Sequence, residues 1–329
     1  MTTQVLICDD SSFARKQLAR SLPEDWDINV NYAVDGADAI FHLHIGKGNV
    51  LFLDLNMPVM DGYEVLKSIK FNKFETVVIV VSGDIQPEAA QRVKDLGAIA
   101  FLKKPTNVDK ISEVLKQFGL FSTTSNKTKH SDIEVNELDM IGEVANVAMG
   151  RAADLLAKLL GHFIKMPIPN VNMLEVSELR MALNQIDHDA ELSAVCQGFI
   201  GSGIAGEALL IFNDSSYTDI AKLIKYDDQL DEAAKVEMLM DISNIMIGAC
   251  LNGIADQLDL NFSQGYPVVL GRHVKIEALL NKNTLTWKKI LTIEMGFTIE
   301  DCKVNADLLL VFTEDSLISL KQIAEYLEA

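Results

Sequence analysis

Paired cysteines, an excess of basic charge and long apolar runs are all missing from this sequence. Four cysteines (Cys8, Cys196, Cys250 and Cys302) are scattered over 329 residues with no C-x-x-C pair. Neither a disulfide framework nor a zinc site is indicated, and all four are expected to act as small buried hydrophobes. Lys and Arg number 29 against 47 Asp and Glu, a net charge of −18. The imbalance is uneven: residues 1–120 hold 13 basic and 16 acidic side chains, and the remainder 16 and 31. So acidic a surface repels phosphate backbones, which argues against a nucleic-acid partner. The apolar run within "MTTQVLICDD" is too short for a signal segment, and no uninterrupted run of about 18 apolar residues follows it. The expectation is a cytoplasmic protein without membrane insertion. His42 and His44 are two apart and so point to different sides of a helix, and the six histidines show no ligand spacing.

What is present is an apolar fraction of 49%, enough for more than one packed core in a chain of this length. Residues 1–120 alternate short apolar runs with amphipathic stretches. "QVLIC", "INVNY", "NVLFL", "TVVIVV" and "AIAFL" read as five buried parallel strands, with helices over 12–22, 36–45, 62–72, 87–96 and 107–117. This pattern predicts an α/β fold, a five-stranded parallel doubly wound sheet with its site at the carboxyl ends of the strands. Asp9 and Asp10 follow strand 1, Asp54 strand 3, Ser82 strand 4, and Lys104 strand 5. Three carboxylates on one rim repel one another unless a cation sits among them, and hard oxygen ligands suit Mg²⁺. A hydroxyl and an ammonium alongside suit a phosphoryl group.

"DD" at 9–10, "LDLNMPVMDG" at 53–62, "VSG" at 81–83 and "KP" at 104–105 resemble the response-regulator receiver family. That resemblance implies Asp54 as phosphoacceptor, fed by a histidine kinase. It implies Mg²⁺ held by Asp9, Asp10, Asp54 and the carbonyl of Asn56, with Ser82 and Lys104 on the phosphoryl group and Phe101 as switch aromatic. Ser82 and Phe101 stand where Thr and Tyr are frequent; the hydroxyl and the ring are kept.

"GLFSTTSNKTKHSDI" reads as a flexible linker, so the domains are expected at 1–120 and 134–329 with a linker over 121–133. The second domain carries an internal repeat. "DMIGEVANVAMG" (139–150) and "EMLMDISNIMIG" (237–248) align at an offset of 98, and "GEALLIFNDSSYTDIAKLI" matches "ADLLLVFTEDSLISLKQIA" at 100. Each copy is expected to form a long helix (134–160 and 232–258), a β-hairpin and a shorter helix, giving an α/β domain with pseudo-two-fold symmetry. "GFIGSGIAG" (198–206) lies between two strands and not before a helix, so it reads as hairpin turn chemistry and not as a phosphate cradle.

Glu143 and Asn146 share a helix face, as do Asp241 and Asn244, with Asp139 and Glu237 one turn earlier. The glycines that follow, Gly150 and Gly248, suggest close approach of helices. A single acid and amide at this spacing is usually a solvated edge; duplication at matched positions argues otherwise. An amide cannot move a proton at neutral pH, but it can hold a water in one orientation. That suits hydrolysis of an acyl phosphate, while the carboxylate pairs with a cation on the target.

Asp or Ser-x-x-x-Glu-x-x-Asn-x-x-x-Gly is the signature of the CheC/CheX/FliY family of CheY-phosphate phosphatases, which residues 134–328 resemble. The first copy fits throughout; in the second, Asp241 replaces the central Glu and shortens its reach. The resemblance implies a phospho-aspartate phosphatase with a phosphorylated CheY-like response regulator as substrate. It also allows a phosphorylation-switched binding module without turnover, for a receiver, a CheD-like deamidase or the flagellar switch, and it leaves homodimerisation open. A third reading has the phosphatase domain act on its own Asp54.

Overall fold

The computed structural model describes residues 2–121, 135–175, 192–213, 231–270, 289–300 and 304–328, with residues 177, 178, 219, 221 and 222. Most of the expected linker, the shorter helix after Asn213 and Cys302 lie outside the described residues. The chain divides into two compact units, Met1–Glu143 and Val144–Ala329.

The first unit opens with β1 (Thr3–Cys8), α1 (Ser12–Arg20), β2 (Ile28–Ala33), α2 (Gly36–His44), β3 (Val50–Leu53), α3 (Gly62–Asn72), β4 (Val77–Ser82), α4 (Pro87–Asp95), β5 (Ala100–Lys103) and α5 (Val108–Gln117). All five strands are parallel in the order β2-β1-β3-β4-β5. Every predicted element forms within about three residues of its expected ends. The strands are apolar on both faces because both are covered. Leu6, Leu51, Leu53, Val78 and Val80 point to one side and pack on Ala39, Val65 and Val93 from α2, α3 and α4. Val5, Ile7, Phe52, Ile79 and Val81 point to the other and pack on Leu18 of α1 and Ile111 of α5. Side-chain ends close the helices: Ser11, Asp35, Asp61 and Asn107 each accept from a backbone N–H three residues on.

Gly62, which starts α3, is fixed by its surroundings. A Cβ there would lie 2.3 Å from the carbonyl oxygen of Asp54 and 2.8 Å from Cα of Leu55. Both contacts are backbone, which cannot swing away as a side chain could. Gly62→Ala is expected to cost about 1–3 kcal/mol by overpacking, read from urea unfolding; a loss within error of zero would show that the loop after β3 yields freely.

Helix α6 (Glu137–Leu160) crosses from the first unit into the second. The second unit continues with β6 (Ile164–Lys165), β7 (Asn170–Glu175), β8 (Leu192–Gly201), β9 (Ile204–Asn213), α7 (Glu232–Leu258), β10 (Ser263–Gln264), β11 (Val268–Leu270), β12 (Lys289–Ile299), β13 (Asn305–Phe312) and α8 (Ser316–Glu328). The eight-stranded sheet runs β10-β8-β9-β13-β12-β6, with β11 also on β8 and β7 also on β12. The antiparallel pair β9–β13 forms its centre, and the two hairpins flank it symmetrically. The expected duplication is therefore present, with one addition. Each copy has two further short strands, and these cross over: β6 and β7 of the first copy pair with β12 of the second, while β10 and β11 pair with β8. Each copy thus closes the other's sheet edge, which two independent halves could not do.

The stretch "GSGI" is a hairpin turn, as read: Ser202 and Gly203 both have positive φ, 52° and 80°, the conformation of a two-residue turn joining twisted strands. A glycine outside the two motifs, Gly253, marks the helix crossing. A Cβ on Gly253 would meet Cα and the carbonyl oxygen of Ala148 at 2.9 Å, so α6 and α7 cross there. Gly248 instead faces the Gln264 side chain at an ordinary 3.7 Å. Gln257 Nε2 donates to the carbonyl of Val144 at 2.8 Å across the same crossing. The buried face of α6 (Ala145, Ala148, Met149, Ala152, Ala153 and Leu156) is rich in alanine, which permits that approach, whereas Leu155 on the same helix is 44% exposed.

One helix segment, Ala233–Leu258 within α7, is long and apolar enough by length and composition to cross a membrane, with 56% of its apolar window buried in the protein. Buried core helices meet the same criterion, and the packing of α7 against α6 accounts for its character. Among the described residues, Cys8, Cys196 and Cys250 are buried and unpaired. Burial pushes the Cys250 thiol up to about 12 and Cys8 and Cys196 up as well; all three behave as the expected hydrophobes.

Candidate functional site

The parallel sheet brings Asp9, Asp10, Asp54, Ser82 and Lys104 to one rim, because β1, β3, β4 and β5 are neighbours and each ends there. Asp54 N donates to the carbonyl of Cys8, and Lys104 N to that of Ser82, so adjacent strand ends are tied by backbone. Asp9 is 3% exposed, Asp54 1%, Ser82 0% and Lys104 8%. Four polar groups this deeply buried at one sheet end are not solvated loop residues.

The carboxylate oxygens of Asp9 and Asp54 each meet a backbone N–H or the Lys104 ammonium. Asp54 Oδ2 accepts from the Asn56 N–H at 2.8 Å, and Asp54 Oδ1 lies 3.1 Å from Lys104 Nζ. Asp9 Oδ1 accepts from Ser11 N at 3.0 Å, and Oδ2 lies 2.7 Å from the same ammonium. Arg15 donates to the carbonyls of Asp9 and Asp10 at 2.6 and 3.0 Å, fixing the loop that carries both acids. Ser82 Oγ accepts from Asp84 N at 3.2 Å. Phe101 is partly buried and packs on the core beneath the rim.

Two acids from α6 complete this cluster within the first unit. Glu143 Oε1 is 3.0 Å from Lys104 Nζ. Asp139 accepts from Ser12 Oγ at 2.6 Å, Phe13 N at 2.8 Å and Ser12 N at 3.3 Å, so a carboxylate caps the N-terminus of α1. Glu143 was read from the sequence as facing a cation of a target; here the cation is Lys104. Ser12 carries no motif that could have marked it, and Arg15 likewise gave no signal.

The electrostatics follow from crowding. Burial, and then Asp9, pushes Asp10 up to about 7. Burial also raises Asp54 well above the usual carboxylate range, with Asp9 and Glu143 adding to the shift against Lys104. Glu143 is raised by burial, opposed by Lys104. For Lys104, burial acts downward but is outweighed by Asp54, Asp9 and Glu143, so its ammonium is firmly protonated. One cation thus faces four carboxyls.

That surplus of buried negative charge is the observation that fits Mg²⁺. Among the described residues, no group of three His, Cys, Asp or Glu side chains forms a closed metal cage, and Mg²⁺ does not require one: it keeps several waters and takes one or two carboxylates. Asp9, Asp10, Asp54 and the Asn56 carbonyl are the groups that would hold it. When bound it would neutralise charge on a phosphoryl group.

In the second unit the two duplicated motifs differ. Asn146 is 6% exposed and its Oδ1 has no hydrogen-bond partner. Glu237, Asp241 and Asn244 are all exposed. Asn244 Oδ1 lies 3.4 Å from Gln197 Nε2, which donates a shorter bond of 2.9 Å to the carbonyl of Gly265. Sequence alone ranked the first copy above the second by the length of one side chain; in the fold they also differ in exposure.

Residues 5–116 match the family model described as Response regulator receiver domain. The chain is 36% identical over 104 residues to protein-glutamate methylesterase/protein-glutamine glutaminase 3 of Geobacter sulfurreducens, covering 31% of this chain and 28% of that one. It is 39% identical over 105 residues to the corresponding protein 2 of Koribacter versatilis, covering 31% and 29%. The chain therefore spans less than a third of the length of these curated relatives, and the likeness lies in the receiver region. Among solved structures, Thermotoga maritima FliY aligns with a TM-score of 0.43 at 20% identity, covering 60% of this chain and 99% of that one. A chain of the CheX-CheY-BeF3-Mg²⁺ complex from Borrelia burgdorferi aligns with a TM-score of 0.33 at 28% identity, covering 36% and 90%.

Proposed function

We propose, starting from a response-regulator receiver domain at the N-terminus of a signalling protein, that the chain is a cytoplasmic phospho-aspartate phosphatase of two-component signalling. Its substrates are phosphorylated CheY-like receivers, and its own receiver takes a phosphoryl group at Asp54 from a histidine kinase and regulates the activity. The observation that carries this reading is the pairing of Glu143 with a receiver lysine 3.1 Å from the phosphoacceptor, with the unpartnered amide oxygen of Asn146 one turn further along the helix.

The chemistry needs little from the protein beyond placement. Glu143 binds the ammonium and so sets the position of the helix on the receiver. Asn146 accepts a hydrogen bond from the attacking water through its amide oxygen and donates one to the water's oxygen through its NH₂ group, holding it for attack. Water oxygen bonds to phosphorus as the bond from phosphorus to the aspartyl oxygen breaks; the products are a free carboxylate and dihydrogen phosphate. No side chain gains or loses a proton in this balance, which is consistent with an amide at the centre of the motif.

Mixing the chain with a phosphorylated CheY-like receiver and following phosphate release tests this. The intact chain is expected to shorten the lifetime of the receiver's phosphoryl group about tenfold or more, the scale of a positioning effect. Asn146→Ala together with Asn244→Ala is expected to return it to the receiver's spontaneous rate. Stoichiometric complex formation with no change in lifetime would overturn the reading in favour of a binding module without turnover.

A further inference from the structure

Asn244 of the second motif is exposed, and an exposed amide keeps one end turned inward only if something holds it. Gln197 of β8 supplies the hold. It is 3% exposed, and its Nε2 donates to the carbonyl of Gly265 at 2.9 Å. A carbonyl only accepts, so this bond decides which end of the Gln197 amide faces Gly265. Gly265 is itself fixed: its N–H donates to the carbonyl of Gly198 at 2.8 Å, and β10 and β11 on either side of it pair with β8. The second hydrogen on Nε2 is left for Asn244 Oδ1, 3.4 Å away, and that contact selects the oxygen of Asn244 over its NH₂ group.

The first motif lacks the equivalent donor. The offset of 98 that relates the two motifs also relates "QGF" at 197–199 to "MGF" at 295–297. The strand register agrees, with Gln197 opposite Ala208 and Met295 opposite Leu308, which are matched positions of the repeated hairpins. Met295 is fully buried, and a thioether has no hydrogen to donate. Asn146 Oδ1, correspondingly, has no hydrogen-bond partner.

We infer that Gln197 is a positioning residue for the second motif: it holds the Asn244 amide with Oδ1 toward the sheet and NH₂ outward before a receiver arrives. This rests on the phosphatase reading above and deepens it. A carbonyl oxygen has two lone pairs, so Oδ1 can still accept from the attacking water while the free NH₂ donates to that water's oxygen. An amide oriented in advance need not be ordered at the moment of attack, so the effect falls on turnover and not on receiver binding.

The experiment follows phosphate release from a phosphorylated CheY-like receiver at several receiver concentrations, using two full-length chains. Asn146→Ala keeps the second motif, and Asn244→Ala keeps the first. Gln197→Met, which gives β8 the residue that β12 carries, is expected to lower kcat of the Asn146→Ala chain about threefold to tenfold, the scale of one hydrogen bond. KM should stay as it was, and the same change should have no further effect in the Asn244→Ala chain. A packing defect would lower turnover in both chains, because both motifs stand on one sheet. That result, a rise in KM alone, or no loss in the Asn146→Ala chain overturns the inference and leaves the phosphatase reading intact. If the intact chain is active but Asn146→Ala is not, the second motif is idle and the inference alone fails. If the intact chain does not shorten the receiver's phosphoryl lifetime, both fail. Gln197→Glu guards against misfolding, since burial favours its neutral acid. Its hydroxyl can then serve the Gly265 carbonyl, while its second oxygen cannot donate to Asn244. It is expected to lower kcat of the Asn146→Ala chain at least as far as Gln197→Met, and full activity of this variant would also overturn the inference.

Discussion

Asp54→Asn is expected to abolish labelling of the chain by a small-molecule phosphodonor, a fall of roughly a hundredfold or more, since a neutral amide is no nucleophile toward phosphorus. Asp54 follows β3 with one oxygen held by the backbone N–H of Asn56 and the other 3.1 Å from the ammonium that would receive the phosphoryl oxygens. Removing Mg²⁺ with EDTA from the intact chain is expected to suppress labelling as well, and adding it back to restore it. Label on Asp54→Asn at the level of the intact chain, by scintillation counting after gel filtration, would place the phosphoacceptor elsewhere.

The second large effect is on stability. Lys104→Met is expected to destabilise the first unit by about 3–5 kcal/mol near neutral pH, the scale seen when one partner of a buried ion pair is removed. Lys104 Nζ lies within 3.1 Å of three carboxylates, on Asp9, Asp54 and Glu143, each less than a tenth exposed. Without the ammonium these acids face one another with no compensating charge. The loss should shrink as the pH is lowered, because protonated carboxyls no longer need a cation. It should also be partly recovered by Asp9→Asn or Glu143→Gln in the same chain, an interaction that a double-mutant cycle measures. Urea unfolding monitored by the fluorescence of Trp26, buried on the α1 and α5 side of the sheet, reads these changes; a loss below about 1 kcal/mol would show that water or ions reach the cluster freely.

Much of the first unit was legible from residues alone. Five apolar runs separated by amphipathic stretches leave a parallel sheet few alternatives, and residues at strand ends must share a rim when the strands are neighbours. Local chemistry also fixed the hairpin at Ser202 and Gly203, where two positive φ angles in succession admit few residue types. The two long helices were legible from their length and from the 98-residue offset. What escaped was non-local. The strands β6, β10 and β11 are only two or three residues long, and they and the six-residue β7 form where partners from the opposite copy supply their hydrogen bonds. Gly253, not Gly248, marks the helix crossing, because which glycine meets a neighbour depends on where two axes intersect and not on the motif around it.

The sequence by itself determined that Glu143 and Asn146 share a helix face and that Asp9, Asp10, Asp54, Ser82 and Lys104 share a rim, since both follow from the periods of helix and strand. Only the tertiary structure decided that Glu143 is buried on Lys104 of its own chain while Asp241 stays in solvent. That is a matter of which surface each helix meets after folding, and no local period encodes it.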